Sequence, residues 1–382
     1  MKRVLTIAAW NICVIFALLA LIELGLRFTP FDTARHPAAN NPPDYYVADG
    51  TLGIRIKPNF PDGWFEFRGP GHKIFSNEFG CFDRPLKLKK DEPYALAIGD
   101  SFTWGYNPLE EKWTSIIERK TGVRVLKCGV AGTGTKYQLR LLRQLLEKLP
   151  HPPQTVIHLY DTTDFNDDFI FPGETVLNGK RIDDFQKIRL SDGKHFKDGP
   201  ASDSEVPDHS YGIQAPKKNR PLVLPSLLKI AFMVDGQVEK RRLVLEGLNP
   251  EYLRWRYEFN LLLLDAAKYP HVSKKLDEHI EALKDVRQEV QDAGASYVLF
   301  HTNSFRLPKD RPLVQRLNRF FASVPEFKGR APELGRHLFD PHWNAESEKK
   351  VAEFMLERMK QQVLISEGRR TRSLNVVNRT VD

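Results

Sequence analysis

The chain has 382 residues, 41% hydrophobic and 11% aromatic, enough to bury a large core in one big domain or two ordinary ones. Charged residues make up 28%, which excludes a disordered class. Formal net charge is +8, yet Lys and Arg lie scattered beside Asp and Glu, and no zinc-finger or RNA-binding signature is present. Nucleic acid is therefore not expected as a partner. A basic solvated surface accounts for the charge, with attraction to an acidic polysaccharide or to anionic lipid as the alternative.

The first thirty residues, "MKRVLTIAAWNICVIFALLALIELGLRFTP", open on two positive charges. An apolar run from Val4 to Leu26 follows, broken only by Thr6, Asn11 and Glu23. At about 1.5 Å per residue it is long enough to span a hydrocarbon core about 30 Å thick. Lys2 and Arg3 predict a cytoplasmic N-terminus, with everything after the run on the other side of an inner membrane, periplasmic or extracellular. No small-x-small cleavage site follows, so an uncleaved anchor is expected ahead of a cleaved signal. Cys13 falls within the run, leaving Cys81 and Cys128 for the folded part. These two could pair outside the cytoplasm, but the sequence leaves their pairing open. No cysteine or histidine spacing suggests zinc, and neither metal nor cofactor is expected.

Residues 31–50, rich in Pro, Asn, Asp and Ala, read as a linker. Residues 51–90 read as short strands and turns at the entry to a main domain spanning 51–365. A regular alternation begins at Tyr94: the strand "YALAIG", a helix near Lys112–Lys120, the strand "VRVLKCG", a helix near Lys136–Leu149, and the strand "TVIHLY". That order implies a parallel sheet with right-handed crossovers. Residues 170–250 break the rhythm and read as an insertion. Its apolar patch "LVLPSLLKIAFMV" is expected to be a helix packed on the domain, with a substrate groove or a membrane contact as alternatives. Helical periodicity returns in "YLRWRYEFNLLLLDAAKY" and in Ser273–Asp292. The strand "SYVLFH" and a last helix near Ala345–Leu364 follow, and the basic tail 366–382 reads as frayed.

In open α/β sheets, reactive groups gather beyond the C-terminal ends of the strands. Four segments fall there: Gly99-Asp100-Ser101, Gly129-Val130-Ala131-Gly132, Thr162-Thr163-Asp164, and "FDPHWN" from Phe339 to Asn344. A serine hydroxyl needs a base to become a nucleophile, and His342 is the candidate base for Ser101. Asp340 is the candidate partner that would fix the imidazole tautomer. The N–H groups of Ser101 and Gly132 are candidate donors to a tetrahedral oxyanion. Asp100 is expected to fix the turn, and Phe102 and Trp104 to pack. Each signal alone is weak, since Asp-Ser pairs usually cap helices; the combination is far stronger.

The blocks "IGDSFTWG", "KCGVAGTGTKYQ" and "FDPHWNAESEKKVAEF", with "HKIFSNEFGCFDRP" before them, resemble the membrane-anchored bacterial branch of the SGNH hydrolases, also called the GDSL esterase/lipase family. The resemblance covers about Leu52 to Leu364. It implies a flavodoxin-like three-layer α/β/α sandwich with a central parallel sheet, Ser101 as nucleophile, His342 as base and Asp340 as its partner. Oxyanion donors would come from Ser101 and Gly132. The family's Gly-Asn-Asp block is Thr162-Thr163-Asp164 here, so Thr163 stands where an asparagine donor is usual, with Asn166 able to substitute only if the loop curls back. Asp340 and His342 are two apart, whereas much of the family places them three apart. The function implied is a serine esterase acting on O-acylated carbohydrate or lipid. An O-acyltransferase on an envelope polysaccharide and a catalytically inactive binding module are the alternatives.

Overall fold

The computed structural model describes residues 2–35, 41–42, 44–67, 71–170, 175–177, 180–182, 222–228, 261–267, 270–303, 307–332, 334–338 and 340–360. The insertion, apart from short pieces, and the basic tail lie outside them, as does most of "YLRWRYEFNLLLLDAAKY", of which Leu261–Leu263 forms a 3-10 turn.

The apolar N-terminal run is helix α1 (Lys2–Leu26). Two antiparallel hairpins follow, β1 (Tyr46–Asp49) with β2 (Gly53–Ile56), and β3 (Gly63–Phe65) with β4 (His72–Ile74). Strand β1 falls in the stretch read as a linker, because Tyr45 and Tyr46 are buried in the core rather than left in solvent. The alternation then unfolds as β5 (Tyr94–Gly99), α2 (Ser101–Trp104), α3 (Trp113–Thr121), β6 (Arg124–Lys127), α4 (Thr135–Lys148), β7 (Thr155–Tyr160) and α5 (Thr163–Ile170). A small hairpin, β8 (Thr175–Leu177) with β9 (Lys180–Ile182), comes next. Helix α6 (Pro270–Asp292), β10 (Ser296–His301), α7 (Pro312–Ser323), β11 (Phe327–Arg330) and a helix α8 over 345–360 complete the described chain.

Strands β5, β6, β7, β10 and β11 form one parallel sheet in the order β11-β10-β7-β5-β6. Numbered among themselves this is 2-1-3-4-5, the flavodoxin order, whose reversal point lies between β5 and β7. The period of two along each strand sorts the core into two faces. Leu96, Ile98, Val156 and Leu299 meet α4, α6 and α7 through Leu142, Leu276, Val286 and Leu317. Ala97, Ile157, Leu159 and Phe300 meet α3 and α8 through Trp113, Ile117, Val351 and Met355. Helices thus cover both faces, giving the three-layer α/β/α architecture.

Candidate active site

Strand β5 runs through buried apolar residues and stops at Gly99. There φ is +152°, and an added Cβ would lie 2.3 Å from Thr103 Oγ1 and 2.6 Å from the Leu159 carbonyl. Only glycine permits so abrupt a turn against β7. Asp100 then caps α2: its Oδ1 accepts the Phe102 N–H at 2.9 Å. This is the turn-fixing role expected of Asp100. Ser101 therefore opens a helix at the C-terminal edge of the sheet, beside the reversal point.

The "FDPHWN" loop meets it. His342 Nε2 lies 2.7 Å from Ser101 Oγ, 241 positions away. On the other side of the ring, His342 Nδ1 bonds Asp340 Oδ1, which also accepts the His342 N–H at 2.9 Å. The carboxylate accepts from Nδ1–H, leaving Nε2 as acceptor for the serine proton. The two-residue spacing is what lets Asp340 hold both the backbone and the ring of His342. Three aromatic rings surround that imidazole: Tyr106 at 4.1 Å, Phe102 at 4.8 Å and Phe67 at 5.8 Å between centroids.

The loop after β6 packs directly on α2. A Cβ at Gly129 would lie 2.3 Å from the Trp104 nitrogen, so glycine is required for this approach. It brings the segment that ends at Gly132 alongside the serine turn. Cys128, just before it, is disulfide-bonded to Cys81 with a Cα–Cα distance of 4.5 Å, which settles the pairing the sequence left open.

Thr163 sits at the start of α5, beside the same turn, but its hydroxyl faces inward. Thr163 Oγ1 donates to Asp161 Oδ1 at 2.7 Å, and the Thr163 N–H donates to the same oxygen at 2.8 Å. A threonine hydroxyl has one proton, and Asp161 holds it. The same hydroxyl lies 3.4 Å from Asp100 Oδ2, so in this structure it is engaged by carboxylates beside the serine turn. Asn166 is buried near the start of the same helix, and its Oδ1 accepts the Leu261 N–H at 3.1 Å.

Beneath the site lies a carboxylate cluster that the sequence did not reveal. Burial, then the neighbouring Asp161, pushes Asp100 well above the usual carboxylate range. Burial, Asp100 and Asp161 do the same to Asp164. Burial and like charges this close disfavour the ionised forms of Asp100 and Asp164. The cluster is tied down by Gln138, whose Nε2 donates to Asp164 Oδ1 and to the Thr133 carbonyl, each at 3.2 Å. That fixes the Gln138 amide, so its Oε1 accepts from His158 Nε2 at 2.8 Å while His158 Nδ1 accepts from Tyr297 at 2.7 Å. Burial keeps His158 neutral, its pKa pushed down to about 3.

A second buried network joins the serine turn to the histidine loop. Lys112 Nζ donates to the Trp104 and Gly105 carbonyls at 2.6 and 2.7 Å, satisfying the end of α2. Asn107 Nδ2 donates to the Trp343 carbonyl at 2.9 Å and to Glu348 Oε1 at 3.2 Å. Glu348 Oε2 accepts the Trp113 N–H at 2.9 Å. One buried carboxylate on α8 thus holds the start of α3 directly and, through Asn107, the residue after His342. Asn107 and Glu348 are 241 positions apart, so no local pattern announces them.

No protein-family model and no curated protein matches the chain. Solved structures do, at low identity. A lipolytic protein of the G-D-S-L family from Desulfitobacterium hafniense is 12% identical, with TM-score 0.33 over 69% of this chain and 98% of its own. A psychrotrophic esterase from a Pseudoalteromonas species is 12% identical, with TM-score 0.34 over 71% of this chain and 99% of its own. An acetyl xylan esterase from the rumen bacterium Butyrivibrio proteoclasticus is 11% identical, with TM-score 0.32 over 78% of this chain and 68% of its own. Likeness this low in identity and TM-score leaves the residue roles to be read from the geometry itself.

Proposed function

We propose that this chain is a serine esterase of the SGNH type, held at a membrane by α1 and acting outside the cytoplasm on O-acyl esters of a carbohydrate or lipid. The observation that carries the reading is the unbroken chain from Ser101 Oγ through His342 to Asp340, with Nε2 at 2.7 Å from the hydroxyl. His342 Nε2 takes the serine proton as Oγ attacks the acyl carbonyl. Asp340 holds the ring in place and stabilises the imidazolium. The Ser101 N–H, first of α2, and the Gly132 N–H face the developing oxyanion. Collapse expels the alcohol, which takes its proton from His342. Water then repeats the sequence on the acyl-enzyme, restoring Ser101.

The disulfide supports the extracytoplasmic side, since such bonds persist in oxidising compartments. So does the pair Lys2 and Arg3 at the start of α1. The test uses the full chain in detergent, with p-nitrophenyl acetate as substrate and a fluorophosphonate probe. Labelling and turnover are expected, and both are expected to disappear in Ser101→Ala. Asp340→Asn should lose on the order of 10⁴ in kcat. A chain that neither labels nor turns over would leave the inactive binding module as the better reading. Acetyl transfer to an added oligosaccharide in excess of hydrolysis would make it an O-acyltransferase with the same residues.

A further inference from the structure

Glu23 is the one acidic residue in the apolar run of α1. Its two carboxylate oxygens accept the N–H groups of Val223 and Leu224, at 2.9 and 3.0 Å, from a point 200 positions further along the chain. Those residues open a helical turn over 223–228. Val223 is fully buried in this contact, while Leu222 and Leu228 are each 50% exposed. The position of Glu23 along α1 gives the contact a depth. With Lys2 and Arg3 among the inner headgroups, twenty residues at 1.5 Å each carry the helix roughly 30 Å, to the far boundary of the hydrocarbon. Glu23 therefore stands at the outer interface, and the segment bonded to it stands there too. Phe28, 85% exposed one turn further on, lies on the same side of that boundary.

The sequence around this segment has the matching pattern. "PKKNRPLVLPSLLK" places Lys217, Lys218 and Arg220 before the apolar stretch and Lys229 after it. Apolar residues flanked by Lys and Arg suit a segment lying in the plane of a membrane surface, its apolar side among acyl chains and its cations at anionic headgroups. We propose that residues 222–228 form a second membrane contact, docked on α1 through Glu23, with Leu222 and Leu228 facing lipid. The occupant of this surface is the bilayer itself. The inference rests on the reading of α1 as an anchor.

The experiment uses the full chain in vesicles containing phosphatidylglycerol. Cys13→Ser removes the free thiol, and single cysteines replacing Leu222, Leu228, Ala17 and Lys90 carry a bimane fluorophore. Quenching by nitroxide-labelled lipid is compared with quenching by aqueous iodide. Labels at 222 and 228 are expected to respond to lipid and to be shielded from iodide, like the label at 17 in α1 and unlike the exposed label at 90. Adding Glu23→Ala should restore iodide quenching at 228 to the level seen at 90, with position 17 unchanged. Iodide quenching at 222 and 228 equal to that at 90, with position 17 still in lipid, overturns the second contact alone. A water-accessible label at 17 overturns the anchor reading and this inference with it.

Discussion

Thr163 stands at the third block with its hydroxyl bonded to a carboxylate. The sequence identified the place, the third block beyond a strand end, and identified the substitution. It could not say where the hydroxyl pointed, because Asp161, two residues earlier, decides that. The Asp161 carboxylate accepts both the N–H and the hydroxyl of Thr163 at the start of α5, a local turn of the kind that aspartate favours. The Asp-Thr-Thr spacing was the available signal. Losing an oxyanion donor costs on the order of 100- to 1000-fold in rate. Thr163→Ala should therefore lower kcat by less than about tenfold, since the proton it removes is held by Asp161 rather than offered to substrate. Steady-state kinetics with p-nitrophenyl acetate read the difference directly, and a loss above about a hundredfold would return Thr163 to the oxyanion hole. Ser101, His342 and Asp340 differ from Thr163 in this respect. Their residue types and their positions at strand ends and before the last helix were legible, and the fold brings them into one hydrogen-bonded chain.

The elements with strong periodicity were legible within a few residues: β5, α4, β7, α6 and β10 lie where the apolar pattern put them. Helix α6 starts at Pro270, three residues before the expected Ser273, because proline suits the first turn of a helix. Strand β11 was not legible. Its residues Phe327–Arg330 are all half-buried, and an edge strand of Phe-Lys-Gly-Arg carries no alternating pattern. Strand β6 was found, but its most unusual residue was not. Lys127 lies at the end of an otherwise ordinary strand, and its side chain is fully enclosed, with Nζ 3.9 Å from the Phe82 ring centre. Among the described residues Nζ meets no oxygen acceptor. Burial pushes its pKa from the ordinary 10.5 down to about 7. The folded chain then binds fewer protons than the unfolded chain between those values, so stability rises with pH through that window and is lower at neutral pH. Lys127→Met keeps the volume and removes the charge. It should stabilise the protein by about 1–4 kcal/mol at neutral pH, with the advantage shrinking toward about pH 10. Urea midpoints of the two chains at both pH values test this. Equal midpoints at neutral pH would mean that the ammonium is well solvated or paired where it lies.

At the scale of the whole molecule, the anchor, the disulfide and the serine site form one argument about sidedness. Cys81 lies in the segment between β4 and β5, and Cys128 lies between β6 and the loop that ends at Gly132, so their bond ties the early hairpins to the edge of the site. Closing a loop across their separation of 47 residues is worth about 4 kcal/mol in the chain-entropy account. A cytoplasm that keeps thiols reduced would forfeit that stabilisation and loosen the segment before Gly129, whose contact with α2 positions the loop. Cys13 behaves differently: it is a free thiol on α1, within the span read as membrane-crossing. The three cysteines therefore count the compartments the chain has visited. Cells are quenched with acid, the chain is denatured without reductant, and its thiols are capped with a polyethylene-glycol maleimide that slows migration once per adduct. A domain on the oxidising side gives one adduct, at Cys13, rising to three after reduction. Three adducts without reduction would place Cys81 and Cys128 in a reducing compartment, reversing the orientation inferred from Lys2 and Arg3 and bringing the proposed esterase site to the cytoplasmic face.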